Sequence, residues 1–184
     1  MIRAAALNFA AAFALALTPA AGLRAQSDAT GVGTDELHEA LRISESQAEA
    51  DRIAGQIWQI WLTAPDEPSQ GLLDEALQRR QSLDFLGAIA TLDRLVEFYP
   101  DYAEGWNQRA TIHFMRGDYG ASLADVAETL AREPRHFGAL SGKAVILFRQ
   151  GKTGLGELAL RRALREHPWL RERAILEALP DTDL

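Results

Sequence analysis

The side chains best suited to acid–base or metal chemistry are four histidines, His38, His113, His136 and His167. No two stand three or four residues apart, so no helix presents a histidine pair to a metal ion. There is no His-Glu-x-x-His, and the chain has no cysteine. That removes disulfides, thiolate metal sites, cysteine nucleophiles and a lipid-modified N-terminal cysteine. Gly151-Lys152-Thr153 has the last residues of a phosphate-binding loop, but the glycine required five residues before Gly151 is Ile146. No Gly-x-Ser-x-Gly occurs. Carboxylate pairs such as Asp74-Glu75 lie in helical stretches explained without catalysis, and His113 falls on a helix face that packs inward. The sequence therefore predicts no enzyme, no cofactor and no metal site.

Of the 184 residues, 47% are hydrophobic and 24% charged, which suits one globular domain, or one domain with a tail. The 26 acids against 19 bases oppose binding to a phosphate backbone, so no nucleic acid is expected. Met1–Arg3 is basic, Ala4–Leu17 is almost purely apolar, and Thr18-Pro19-Ala20-Ala21-Gly22 breaks the run. This is the layout of a secretory signal peptide over residues 1–25, cut somewhere after Ala20 to Ala25. The apolar core is shorter than the roughly 20 residues that span a bilayer, so membrane contact is expected only through an uncleaved signal. Removing Arg3 and Arg24 leaves 17 bases against 26 acids, a net of −9. The charge is graded: residues 26–75 hold 2 bases and 11 acids, whereas residues 135–184 hold 9 and 6. In an elongated molecule that gradient would form a dipole able to steer charged partners.

What must position these side chains is a period of 34 residues. Pro100, Pro134 and Pro168 share it. Three units, 69–102, 103–136 and 137–170, bring other residues into register: Leu72, Trp106 and Leu140 at position 4; Ala76, Ala110 and Ala144 at 8; Ala88, Ser122 and Gly156 at 20; Leu92, Val126 and Leu160 at 24. Large apolar residues at 4 and 24 fill the seam between two helices, and small ones at 8 and 20 let the axes approach. Proline at 32 stops the second helix. Glycine at Gly117 and Gly151 relaxes the turn inside the unit. Leu83 takes that place in the first unit, where Asp84 can cap the next helix.

On Trp106, Ala110, Gly117, Asp118, Tyr119 and Pro134, with the in-register positions of the other copies, residues 69–170 resemble the tetratricopeptide repeat family. The resemblance implies an all-α fold, an α-solenoid of three helix-turn-helix repeats. Two positions depart from the family pattern: position 7, usually Leu, is Glu75, Arg109 and Lys143; position 11, usually aromatic, is Arg79, His113 and Leu147. Sharing position 7, Glu75 is expected to pair with Arg109 between repeats. The family's concave side is lined by the first helix of each repeat. On that resemblance the candidate peptide-binding groove is Asn107, Thr111, Phe114, Ser141, Val145 and Phe148. Asn107 would bond a peptide backbone, and the two phenylalanines would hold an apolar side chain. The export signal together with three repeats is similar to small periplasmic repeat proteins of Gram-negative bacteria. The implied function is a non-enzymatic periplasmic adaptor holding a protein or peptide partner in its concave groove. The alternative is a structural or assembly subunit of a cell-envelope complex, bound through its N-terminal Trp helix or convex face.

Outside the repeats, residues 26–45 read as a flexible tether, polar and Gly-rich at the start. Residues 46–64 read as a packing helix, begun by the capping pattern Ser46-Gln47-Ala48-Glu49 and carrying Ile53, Ile57, Trp58 and Trp61 at helical spacing. It is expected to cover the first repeat. Residues 171–184 read as a capping helix and tail stopped by Pro180.

Overall fold

The computed structural model describes residues 33–178, so the signal peptide, the start of the tether, and Pro180 lie outside the described residues. The described residues form nine helices and no strands: α1 (Thr34–Arg42), α2 (Gln47–Trp61), α3 (Glu67–Gln81), α4 (Phe85–Phe98), α5 (Ala103–Met115), α6 (Tyr119–Arg132), α7 (Phe137–Arg149), α8 (Thr153–Glu166) and α9 (Arg173–Glu177). α3–α4, α5–α6 and α7–α8 are the three repeats, stacked so that α4 lies on α5 and α6 on α7.

The turns inside the repeats are alike in backbone though not in sequence. Leu83, Gly117 and Gly151 sit at φ 62, 81 and 73°. In each, the next amide donates back five residues, from Asp84 to Arg79 O, Asp118 to His113 O and Lys152 to Leu147 O. This closure satisfies helix-end carbonyls and needs a left-handed residue. Glycine adopts it freely; Leu83 does so at a steric cost. Asp84 then caps α4 by accepting from the Gly87 amide at 2.9 Å.

Inside each repeat the small positions meet. Ala76, Ala110 and Ala144 are 0–3% exposed, and Ala88, Ser122 and Gly156 oppose them, all buried. The Ser122 hydroxyl donates to Ala110 O at 2.8 Å, so this polar atom is satisfied within the helix contact. A β-carbon on Gly156 would stand 3.0 Å from the Phe148 ring, which explains the glycine.

The position-7 side chains do not pair as expected. Arg109 reaches Asp125 of its own repeat through two bonds, 2.9 and 2.7 Å, and Asp93 of the previous repeat at 2.8 Å. Glu75 instead accepts from Arg79 at 2.9 Å and Thr91 at 3.2 Å. Arg79 lies on Glu75's own helix; the other partners, Thr91, Asp93 and Asp125, lie on second helices, so Glu75 and Arg109 are each engaged without meeting each other.

The N-terminal segment differs most from its sequence reading. Thr34–Arg42, inside the expected tether, is helical, with Leu37, His38 and Leu41 buried. α2 is capped as expected, Ser46 accepting from the Glu49 amide. It packs with α1 and then against Phe137, Trp169 and Leu170 of the third repeat and its exit, not over the first repeat. The α1–α2 hairpin thus folds back along the solenoid, anchored at the start of α5 by a bond of 2.7 Å from the Tyr102 hydroxyl to Trp61 O. At the other end α9 spans only five residues, and Ile175 and Leu176 pack on the third repeat.

Candidate functional site

The concave side is built by α3, α5 and α7. In α5 the side chains of Asn107 and Thr111, and in α7 those of Ser141 and Val145, are 1–5% exposed. Asn107 donates its amide to both oxygens of Glu104 at 3.2 Å, and the Thr111 hydroxyl donates to Asn107 O at 2.9 Å. Between α5, α6 and α7 a space of about 10 Å³ remains, lined by Asn107, Thr111, Phe114 and Gly138 among others. It has room for about one water molecule and none for a peptide side chain. Phe114 and Phe148 are half-buried. Phe114 lies against Tyr119 and under the Arg149 guanidinium, and Phe148 lies on Gly156 of its own repeat. Two adjacent repeats do bring the six predicted residues to one side. Four of the six sit beneath its surface, and the two rings point toward their own turns.

The rim of this side carries a polar node that the 34-residue period does not reveal. Glu104 and His136 are 1% and 0% exposed, and His136 Nε2 lies 2.9 Å from a Glu104 oxygen. The Ala139 amide donates to His136 Nδ1 at 3.1 Å, so Nδ1 is unprotonated and Nε2 donates to the carboxylate. His136 is therefore both the N-cap of α7 and the link to α5. Gln108 also donates to Glu104 and accepts from Arg80, carrying the network to the first repeat. Burial holds the Arg80 guanidinium below its ordinary value, opposed by Glu104.

The hairpin sits on this node. The Trp61 ring stacks on His136 at 3.9 Å with an angle of 12°, and Trp58 meets His136 and Phe137 edge-on at 5.4 and 5.7 Å. A β-carbon at Gly138 would stand 2.9 Å from the Trp58 ring, so that glycine is the floor of the Trp58 seat. His38 fills the space behind, 5.7 Å from Trp61, with neither ring nitrogen hydrogen-bonded among the described residues. Its burial, then the Arg135 charge, lower its pKa. Burial lowers His167 to about 4; its Nδ1 accepts from the Trp169 amide, and Phe137 meets its ring edge-on. Both tryptophans thus spend their faces inside the molecule, Trp61 being 7% exposed.

Large apolar residues are left open on the hairpin, at Ile43 and Ile60, and on the second helices. Leu86 of α4 and Leu155 and Leu158 of α8 are 57–69% exposed, on the outward side of the second helices. Sequence periodicity misses them, because positions 18, 19 and 22 of the other repeats hold Gly or Ala. Among the described residues no group of three His, Asp or Glu is placed to hold a metal ion, and no helix is long and apolar enough to cross a membrane.

The comparisons with known proteins agree with this geometry. A tetratricopeptide repeat model matches residues 73–133 and 109–168, which together run from within α3 to the end of α8. A TPR repeat-containing protein of Rhizobium etli is 36% identical over 140 residues. That alignment spans 73% of this chain and 66% of the relative, just under two thirds of its length. The crystal structure of MamA superposes with a TM-score of 0.52 at 11% identity, over 79% of this chain and 82% of that one, a likeness of fold alone. With the period, the paired helices and the matched model in agreement, the chain belongs to the tetratricopeptide repeat family.

Proposed function

We propose that this chain is an exported, non-enzymatic scaffold of the bacterial envelope that holds a protein partner against the outward side of its second helices. Tetratricopeptide repeats are protein–protein interaction modules, and four of the six residues of the expected peptide groove, Asn107, Thr111, Ser141 and Val145, are buried here. The observation that carries the choice is the exposure of Leu86, Leu155 and Leu158 at 57–69% while Asn107, Thr111, Ser141 and Val145 stand at 1–5%. Open leucines on a folded surface mark a contact site more than buried polar groups do. The amino-terminal pattern of Met1–Gly22 supports export and a periplasmic location.

Photo-crosslinking residues placed in the producing cell at positions 155 and 158, and at 114 and 141, decide between the surfaces. Specific adducts at 155 and 158, lost with Leu155→Glu/Leu158→Glu, are the expected result. Adducts only at 114 and 141 would return the partner to the concave side. The amino terminus of the mature protein, recovered from the periplasmic fraction, tests export: a start at Met1 in the cytoplasm would overturn it.

A further inference from the structure

Among the described residues one kind of helix seat occurs three times, twice filled and once open. In the second repeat it is the face of α5 that receives α4. There Gly105 lets the helices close, since a β-carbon would stand 3.3 Å from Leu95 and 3.4 Å from Val96. Trp106 donates to Pro100 O at 2.9 Å, and Arg109 donates to Asp93 of α4 at 2.8 Å. In the third repeat Ala139 replaces Gly105 and packs on Val126 of α6. In the first repeat the same register places Gly71, Leu72 and Glu75. No described residue lies within 4 Å of a β-carbon built on Gly71. Gly71, Leu72 and Glu75 line an open cleft of about 560 Å³ with Pro68, Arg94, Phe98 and Tyr99, and Phe98 is 64% exposed. The helix that chain order would supply, α2, lies against the third repeat instead.

We infer that this cleft at the first-repeat end receives one amphipathic helix of a protein partner, lying on α3 as α4 lies on α5. The filled seat states the helix's chemistry. It presents adjacent branched apolar residues over Gly71, in the manner of Leu95 and Val96 over Gly105. Two residues before them it carries Lys or Arg, because the seat has Glu75 where the second repeat has Arg109. Arg94, on the cleft wall, takes an acid from the same helix. The inference rests on the protein-binding reading but concerns a different face, so it can fail while the outward leucines still capture a partner.

A helix-stapled peptide of residues 85–98 carrying Asp93→Lys is the probe, titrated into the full-length protein by fluorescence anisotropy. Saturable binding is expected, about two- to fivefold tighter than for the same peptide with Asp93, the ratio an exposed charge pair supports. Gly71→Leu should abolish binding of both peptides. Since Gly71 has open space and helix-interior glycine is disfavoured, that variant should keep its helical signal and not melt lower. Glu75→Lys should reverse the order of the two peptides. No saturable binding, or binding indifferent to Gly71→Leu, would overturn the inference. A dimer of the full-length protein that dissociates in Gly71→Leu would also overturn it, by placing a second copy in the seat.

Discussion

Acid should loosen the hairpin from the repeats, and His167 sets the size of the effect. Its ring is 6% exposed, edge-on to Phe137, with Nδ1 accepting from the Trp169 amide, and burial lowers its pKa to about 4 from 6.5. The charge of Asp51 on α2 opposes that shift without overcoming it. A histidine with a depressed folded-state pKa favours the native state fully above the unfolded value. That advantage is lost as pH falls from 6.5 toward about 4, because the unfolded chain binds the proton first. Between pH 7.5 and 4.5 the loss from this residue alone is about 2.5 kcal/mol. His38 adds to it in the same direction, since its burial and the Arg135 charge also lower its pKa. Exposed carboxylates such as Asp66 and Asp84, held low by hydrogen bonds, titrate in the same experiment. The informative quantity is therefore a difference. Urea unfolding of the wild type and of His167→Asn at both pH values should show the wild type losing about 2 kcal/mol more than the variant. Hydrogen exchange should place the extra opening in α1–α2, where Trp58 and Trp61 meet His136. Equal losses in the two proteins would refute the argument, as would opening confined to α3–α4.

Three further outcomes are expected. Leu83→Gly should stabilise by about 0.5–1 kcal/mol in urea melts, since a leucine at φ 62° carries a left-handed penalty that exceeds glycine's entropic cost. Arg109→Ala should destabilise by about 3 kcal/mol in the same assay, because the Asp125 side chain, 6% exposed, loses its bidentate partner. Gly138→Ala should lower the melting point and raise exchange in α2, at a cost of about 1–3 kcal/mol, although alanine is the better helix former.

The repeats were legible because stacking imposes residue size at fixed intervals. Ala76, Ala110 and Ala144 are small since a helix lies against each, and Leu92, Val126 and Leu160 are large since a seam needs filling. Even the exception was readable: Asp84 after Leu83 marked a helix start where the glycine was missing. The docking of the hairpin was not. An apolar face on α2 states that something covers it, not what. Phe137 and Gly138 are more than seventy residues from Trp61, and only their combined shape, with His136 fixed by Glu104, makes the seat. The role of the groove residues was not legible either, for a related reason. Asn107, Thr111 and Ser141 occupy the register of a ligand-facing surface, but they are short, and α5 and α7 come into contact. Size alone does not say whether a short polar residue faces a ligand or a neighbouring helix.

The charge gradient changes meaning in the same way. Along the chain, acids crowd residues 26–75 and bases residues 135–184, which in an extended solenoid makes a long dipole. The hairpin folds back so that the acidic α1 meets the basic third repeat. Arg135 is the joint: it lies 3.4 Å from Asp35, 3.2 Å from Glu39 and 3.1 Å from Glu166. The Asp35 and Glu39 side chains are 96% and 59% exposed, so each of those pairs is worth about 0–1 kcal/mol, far below the burial of Leu37, Leu41, Ile53, Ile57 and Trp61. Apolar burial therefore holds the hairpin down, while the charges favour its packing on the third repeat over the first. Folding opposite charge onto itself also shortens the dipole, so steering at a distance is weaker than the linear sequence implies. What the outside still meets, among the described residues, is local: open leucines on the second helices, and an open cleft beside Glu75 and Arg94.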